Sequence, residues 1–139
     1  MDCIFCKIVK GEIPCYKVYE DEDFIAFMDI NPINNGHVLV IPKKHSELVS
    51  GLDKNILSKI MPLAEKIGSA IRKSGIKCEG MNFEIFDGKT AGQEVPHVHL
   101  HLIPRFSEDG YEHKYPAGYC DPNTRERLEK IAEQIRIAF

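Results

Sequence analysis

Residues 96–105 read Pro96-His97-Val98-His99-Leu100-His101-Leu102-Ile103-Pro104-Arg105, three histidines at strict two-residue spacing inside an apolar run. Side chains alternate across a strand that rises about 3.3 Å per residue, so the spacing predicts His97, His99 and His101 on one face, roughly 6.6 Å apart. Val98, Leu100 and Leu102 then fill the other face, the pattern of a half-buried strand. Imidazole titrates near neutrality, attacks as a nucleophile and binds metal. The outer pair would lie about 13 Å apart on a straight strand, too far to share one zinc at about 2.1 Å per nitrogen. The three are therefore expected to divide their labour, and this strand to carry the chemistry.

The scaffold around them reads as one domain. The chain has 139 residues, 43% hydrophobic and 28% charged, enough for a core that needs no staples. A net charge of −3 gives no reason to expect nucleic acid as a partner. A small anion needs only a local cluster of donors, so a nucleotide is compatible with that sign. No apolar run approaches the ~20 residues of a membrane span, and Met1-Asp2-Cys3 opens no signal peptide. Five cysteines is an odd number, with Cys15, Cys78 and Cys120 scattered. That pattern favours reduced thiols in a cytoplasmic setting over a disulfide framework.

The elements that must position the histidines follow from periodicity and turn signals. Cys3 to Lys10 is a short helical turn ending at Gly11. Val18–Glu20 and Phe24–Met28 read as strands around the acidic turn Asp21-Glu22-Asp23. Asn31-Pro32 opens a loop that closes at Asn35-Gly36, and His37–Ile41 is a third strand ended by Pro42. Asp53 caps a helix running to about Ser74-Gly75, with Ile56, Ile60, Leu63, Ala64, Ile67 and Ile71 on one face and a kink at Pro62. Met81–Phe86 is a fourth strand and the histidine run a fifth. Asp121-Pro122 caps a C-terminal helix whose Leu128, Ile131 and Ile135 form a buried stripe. Strands joined by short turns, with one long helix between them, imply an α+β domain with a mainly antiparallel sheet of about five strands.

The whole arrangement is similar to the histidine triad (HIT) superfamily. His97 to Ile103 satisfies the signature of three alternating histidines followed by two apolar residues. Supporting segments stand in family order: Cys3-Ile4-Phe5-Cys6-Lys7-Ile8, Phe27-Met28-Asp29-Ile30, Gly36 to His45, and Ala91-Gly92-Gln93-Glu94-Val95. The match spans about residues 3–105 and is most like the histidine-triad nucleotide-binding (Hint-like) branch. Residues 106–139 are of variable type. The resemblance implies a HIT-like fold and a homodimer formed through helix and sheet edge.

It also implies a reaction at the α-phosphate of a purine nucleotide (AMP or GMP type) through a covalent nucleotidyl-histidine. His99, the central histidine, would be the nucleophile. A main-chain carbonyl accepting from its other nitrogen would fix the tautomer that attacks. His101 would contact the phosphate and share its developing charge, and His37 would support the triad. Gln93 resembles the phosphate-side glutamine, with Gly92 allowing close backbone approach. Asp29 matches the acidic residue that accepts both ribose hydroxyls. Phe5, Ile8, Ile13 and Phe27 fall where the family holds the base. Two positions depart from the pattern. Glu94 stands where many relatives carry Ser or Thr, and a carboxylate there repels phosphate unless it points away or acts as a base. Phe86 replaces a residue that is often polar.

Cys3-x-x-Cys6 alone reads as half a zinc site or a redox pair, and the thioredoxin-like alternative lacks a βαβ context. Some HIT proteins complete such a pair with two histidines, matched here by His45 and His97. That closed Cys2His2 set implies a structural Zn2+ tying the N-terminal turn to the histidine segment. The expected activity is hydrolysis of adenosine phosphoramidates or related conjugates. A dinucleoside polyphosphate hydrolase shares the nucleophile and differs in what leaves. A nucleotide-binding regulatory protein with weak catalysis is the alternative from another class.

Overall fold

The computed structural model describes residues 2–120 and 122–139. They fall into two compact units, one ending at Asp109 and the other beginning at Gly110. The first contains α1 (Ile4–Val9), β1 (Lys17–Glu20), β2 (Phe24–Met28), β3 (Val38–Pro42), α2 (Lys54–Lys73), β4 (Gly80–Ile85) and β5 (Leu100–Arg105). The five strands form one sheet in the order β1-β2-β3-β5-β4, and each neighbouring pair is antiparallel. This is the α+β architecture that the turn-connected strands imply.

Alternation along the central strands sorts side chains between two apolar layers. Phe24, Ala26, Val38, Val40, Leu100 and Leu102 face α2, where Ile60, Leu63, Ala64, Ile67 and Ile71 meet them. The helical spacing of those five residues is what gives α2 one apolar face. Its start is fixed by Asp53, whose carboxylate accepts the Asn55 N–H at 2.8 Å. The helix runs as one element through Pro62, which lies on the exposed side. The carbonyl that proline leaves undonated is that of Ser58, which also faces solvent and can take water instead.

The opposite face carries Ile25, Phe27, Leu39 and Ile41, packed against Cys3 and Phe5 of the N-terminal turn. Register makes this the functional face. Leu39 pairs with Phe27 on one side and His101 on the other, and His101 pairs onward with Glu84. A row of side chains thus crosses four strands with His101 in it. One step beyond the β2–β3 ladder, the Asp29 N–H donates to the His37 carbonyl at 3.0 Å, so both residues sit at the same edge of this face. Between them the 31–36 loop closes at Gly36, whose φ of +89° strains any L side chain and where a Cβ would press on Pro104 and Ile76 at 3.1–3.3 Å.

Two expectations need correction. The histidine strand begins only at Leu100, so His97, in a bend whose N–H turns back to the Val95 carbonyl, and His99 precede it in unladdered chain. The ladder stops after Val40↔Leu100 because its next member on β3 leads to Pro42, which has no N–H to give. The C-terminal stripe is not buried either. Pro122–Arg127 forms a 3-10 turn, α3 spans Leu128–Arg136, and Leu128, Ile131 and Ile135 are 56%, 47% and 56% exposed. Spacing defines an apolar face but supplies no cover. Among the described residues of this unit there is no strand or second α-helix to receive it. The expected cap Asp121 lies outside the described residues. Among the described residues, no helix is long and apolar enough to cross a membrane.

The packing of α2 makes a direct prediction. Ile60 is 1% exposed against the sheet, whereas its neighbour Met61 is 48% exposed. Ile60→Ala should cost about 2–5 kcal/mol in urea unfolding, and Met61→Ala less than about 0.5 kcal/mol. Similar losses for the two variants would contradict the facing assigned to the helix.

Candidate functional site

A cleft of about 250 Å³ opens on the α1 face of the sheet. Its apolar wall includes Phe5, Ile8, Ile13 and Phe27, and its polar end brings together Asp29, His99 and His101. Seven of the ten residues expected at a nucleotide thus share one cavity. Phe5 organises the wall, meeting Phe27 edge-on at 5.7 Å between ring centroids and His99 at 5.2 Å. His99 and His101 lie 4.9 Å apart by the same measure.

Hydrogen bonds fix which nitrogen of each imidazole carries the proton. His99 Nδ1 lies 2.7 Å from the His97 carbonyl, which can only accept. Its proton is therefore on Nδ1, and Nε2 keeps a free lone pair. On the other side, the Ile33 N–H donates to His37 Nδ1 at 3.1 Å, so the His37 proton is on Nε2. That group donates to His101 Nδ1 at 2.9 Å, with Asp29 Oδ2 3.5 Å away. His101 consequently holds its own proton on Nε2. The two neighbouring rings have opposite tautomers, one offering a lone pair and the other an N–H.

Burial favours the neutral form of His101 and His37. It pushes His101 from its ordinary 6.5 down to about 4, helped by nearby His99 and His37 and opposed by Asp29. Phe86 packs edge-on against the His101 ring at 5.4 Å, adding an apolar neighbour where the family pattern often has a polar one. Burial holds His37 below its ordinary value as well, against the pull of Asp29 and Glu84.

The remaining expected residues stand behind the cleft. His37 is buried beneath His101. Gln93 does not line the cavity: its Oε1 accepts the Gly88 N–H and its Nε2 donates to the Glu47 carbonyl, each at 2.8 Å. Both ends of the amide are thus committed to holding the 88–93 loop. Gly92 closes that loop with a φ of +98°. Glu94 does line the cavity. Asp29 Oδ1 accepts the Asn31 N–H at 2.8 Å, and both carboxylate oxygens retain acceptor capacity. Leu39 and Tyr16 also line the cleft and were missed from sequence. Alternation from His37 would have found Leu39; Tyr16, in the segment before β1, carries no such signal.

A second cluster adjoins the first. Cys3, Cys6, His45 and His97 offer four ligand atoms within 4.8 Å of one another. His97 Nδ1 stands 3.5 and 3.7 Å from the two sulfurs and 3.2 Å from His45 Nδ1, and Cys6 Sγ is 3.3 Å from that same His45 atom. A tetrahedron with zinc–nitrogen and zinc–sulfur bonds of about 2.1 and 2.3 Å has edges of roughly 3.4–3.8 Å, close to these four separations. His97 Nε2 donates to the Pro42 carbonyl at 2.8 Å, which turns the Nδ1 lone pair toward the cluster. Burial and the neighbouring Cys3 thiol push the Cys6 thiol up, and a divalent cation would supply the charge that favours both thiolates.

A family model for the HIT domain matches residues 10–108. The chain belongs to the HIT family. A relative from Schizosaccharomyces pombe named adenosine 5'-monophosphoramidase is 40% identical over 136 residues, covering 97% of this chain and 96% of its own. The crystal structure of a HIT family protein from Bacillus anthracis superposes with a TM-score of 0.87 at 42% identity, over 99% of this chain and 97% of that one. A zinc-bound histidine triad family protein from Mycobacterium smegmatis matches at 36% identity and a TM-score of 0.77, over 100% of this chain and 99% of that one.

The buried imidazoles set an acid limit. An unfolded chain protonates this residue below about 6.5, whereas folded His101 resists until about 4. Between those values the unfolded state binds more protons, so stability falls as pH drops from 6.5 toward 4. Urea midpoints at pH 7 and pH 5 should show that loss, and His101→Gln should lose less between the two. Equal losses in both proteins would contradict the burial assigned to His101.

Proposed function

We propose that the protein is a nucleotide-binding hydrolase that cleaves purine nucleotide conjugates of the adenosine phosphoramidate type at the α-phosphate, through a nucleotidyl group carried on His99. The observation that carries this reading is the hydrogen bond from His99 Nδ1 to the His97 carbonyl, which leaves Nε2 as an unprotonated nucleophile. His101, donating from Nε2, is aimed to bind a phosphoryl oxygen as charge develops. Phe5, Ile8, Ile13 and Phe27 supply an apolar seat for the base, and Asp29 supplies acceptors for the ribose hydroxyls. His37, Gly92 and Gln93 position these groups from behind. The name of the Schizosaccharomyces pombe relative supports the choice of substrate class.

The chemistry balances in two displacements. His99 Nε2 forms a bond to phosphorus as the phosphorus–nitrogen bond breaks, and the departing amine takes a proton from water. Water then attacks phosphorus, its oxygen staying on the nucleoside monophosphate. The proton returns to solvent, and His99 leaves with its lone pair restored. Each step pairs a competent nucleophile with a tolerable leaving group, which direct attack by water on the conjugate does not.

We infer further that Cys3, Cys6, His45 and His97 hold a structural zinc, a reading supported by the ligand spacing and by the zinc-bound mycobacterial relative. With four protein ligands it would leave no open position for substrate. The family resemblance extends to a homodimer, and the cysteine usage, run lengths and net charge favour a cytoplasmic setting with no membrane or nucleic-acid partner.

His99→Ala should abolish turnover of an adenosine 5'-phosphoramidate while nucleotide affinity stays within a few fold. Rapid quenching of the wild type with α-labelled substrate should trap label as an acid-labile, base-stable adduct. Removing the His101 donor should cost about 10²–10³ in kcat, as for a lost oxyanion donor. Wild-type turnover persisting in His99→Ala would sink the assignment, and binding without any products would favour the regulatory alternative. Elemental analysis of protein purified without chelator should find about one zinc per chain, and its removal should lower Tm. No metal, together with no Tm response to added zinc, would refute the metal site.

A further inference from the structure

The charge pattern of the cleft bears on what leaves, an inference that rests on the reaction proposed above. Among its lining residues are two carboxylates, Asp29 and Glu94, and no lysine or arginine. Asp29 is engaged by the Asn31 N–H and stands beside His37. Glu94 is exposed and has no hydrogen-bond or ion-pair partner among the described residues. With the base against Phe5 and Phe27 and the phosphate at His99 and His101, the leaving group must project toward the mouth. Of the two carboxylates that line the cleft, the exposed one of Glu94 is the one left uncommitted.

We propose that Glu94 is a specificity residue that favours conjugates with a cationic leaving group. The fitting class is a diamine joined to phosphorus through one nitrogen, its second amine remaining an ammonium ion. Polyphosphate leaving groups are disfavoured by the same side chain. Such groups are ordinarily met by arginine, lysine or a metal ion that spreads their charge, and this wall offers a carboxylate in that place. Glu94 contributes charge and not a proton: the bond that breaks is still phosphorus–nitrogen, and the amine is protonated by water as before. An exposed ion pair supports roughly a two- to five-fold preference and is weakened by salt.

The test compares kcat/KM for three adenosine conjugates: the propylamine phosphoramidate, the mono-phosphoramidate of 1,3-diaminopropane, and diadenosine tetraphosphate. The wild type should prefer the diamine over propylamine by roughly two- to five-fold at low salt, with the ratio approaching one at about 0.5 M salt. Glu94→Gln should bring the ratio close to one at all salt concentrations. Glu94→Lys should invert it and raise the tetraphosphate relative to propylamine. Turnover of both phosphoramidates at the same ratio in all three proteins would overturn this inference alone. Failure of the wild type to cleave either phosphoramidate would overturn the proposed reaction, and this inference with it.

Discussion

The point on which the site depends is the place where the β3–β5 ladder stops. Val40 and Leu100 are its last partners, and Pro42 beyond them has a carbonyl but no N–H. From there the chain of residues 97–99 is held by other means. The Val98 N–H reaches the Ser46 carbonyl at 2.8 Å, and the His97 ring takes the Pro42 carbonyl. Freed from the ladder, the His97 carbonyl can accept from the next histidine ring. An unbroken strand would have spent its backbone groups on neighbouring chains and left the His99 tautomer unspecified.

That arrangement couples the two clusters through one residue. His97 presents Nδ1 to Cys3, Cys6 and His45, and its backbone carbonyl fixes the proton of His99. Whatever holds the His97 side chain therefore also holds the orientation of the proposed nucleophile. Phe5 sits between them, edge-on to both His97 and His99 at 5.8 and 5.2 Å. It lies in the short helix between Cys3 and Cys6, so the N-terminal turn is a wall of the cleft as well as one side of the four-ligand cluster.

Much of this was legible in the sequence because it rests on local signals. The short apolar runs at 24–28 and 37–41 were enough to place both strands, since each is bounded by turn residues and is buried on both faces. Asp53 and the spacing of Ile60, Leu63, Ile67 and Ile71 marked α2 for the same reason. The histidine segment was read correctly in composition and wrongly in extent, because the pairing that ends a strand lies on another strand and leaves no mark in the segment itself. The exposure of α3 was illegible for a related reason: amphipathicity is a property of one helix, and burial a property of its neighbours. At the site, the alternating histidines marked the strand, and the family resemblance pointed to His99, His101 and Asp29. The engagement of both ends of Gln93 depends on Gly88 and Glu47, and no pattern near Gln93 predicts those partners.

Two adjacent imidazoles on one sheet face end with opposite tautomers, and the reason is the kind of atom each one meets. His99 meets a carbonyl, which accepts and so draws the proton to Nδ1. His101 meets an N–H that has been oriented in turn by the amide of Ile33, so its proton is driven to Nε2. Burial then keeps the His101 arrangement from being erased by protonation at neutral pH, because it holds that imidazole down at about 4. Identical residues two apart thus acquire complementary chemistry, a lone pair beside a donor, without any difference in their own structure. An antiparallel sheet is well suited to this, because the same register that aligns His101 with Leu39 brings His37 onto its diagonal and leaves His99 to the irregular chain.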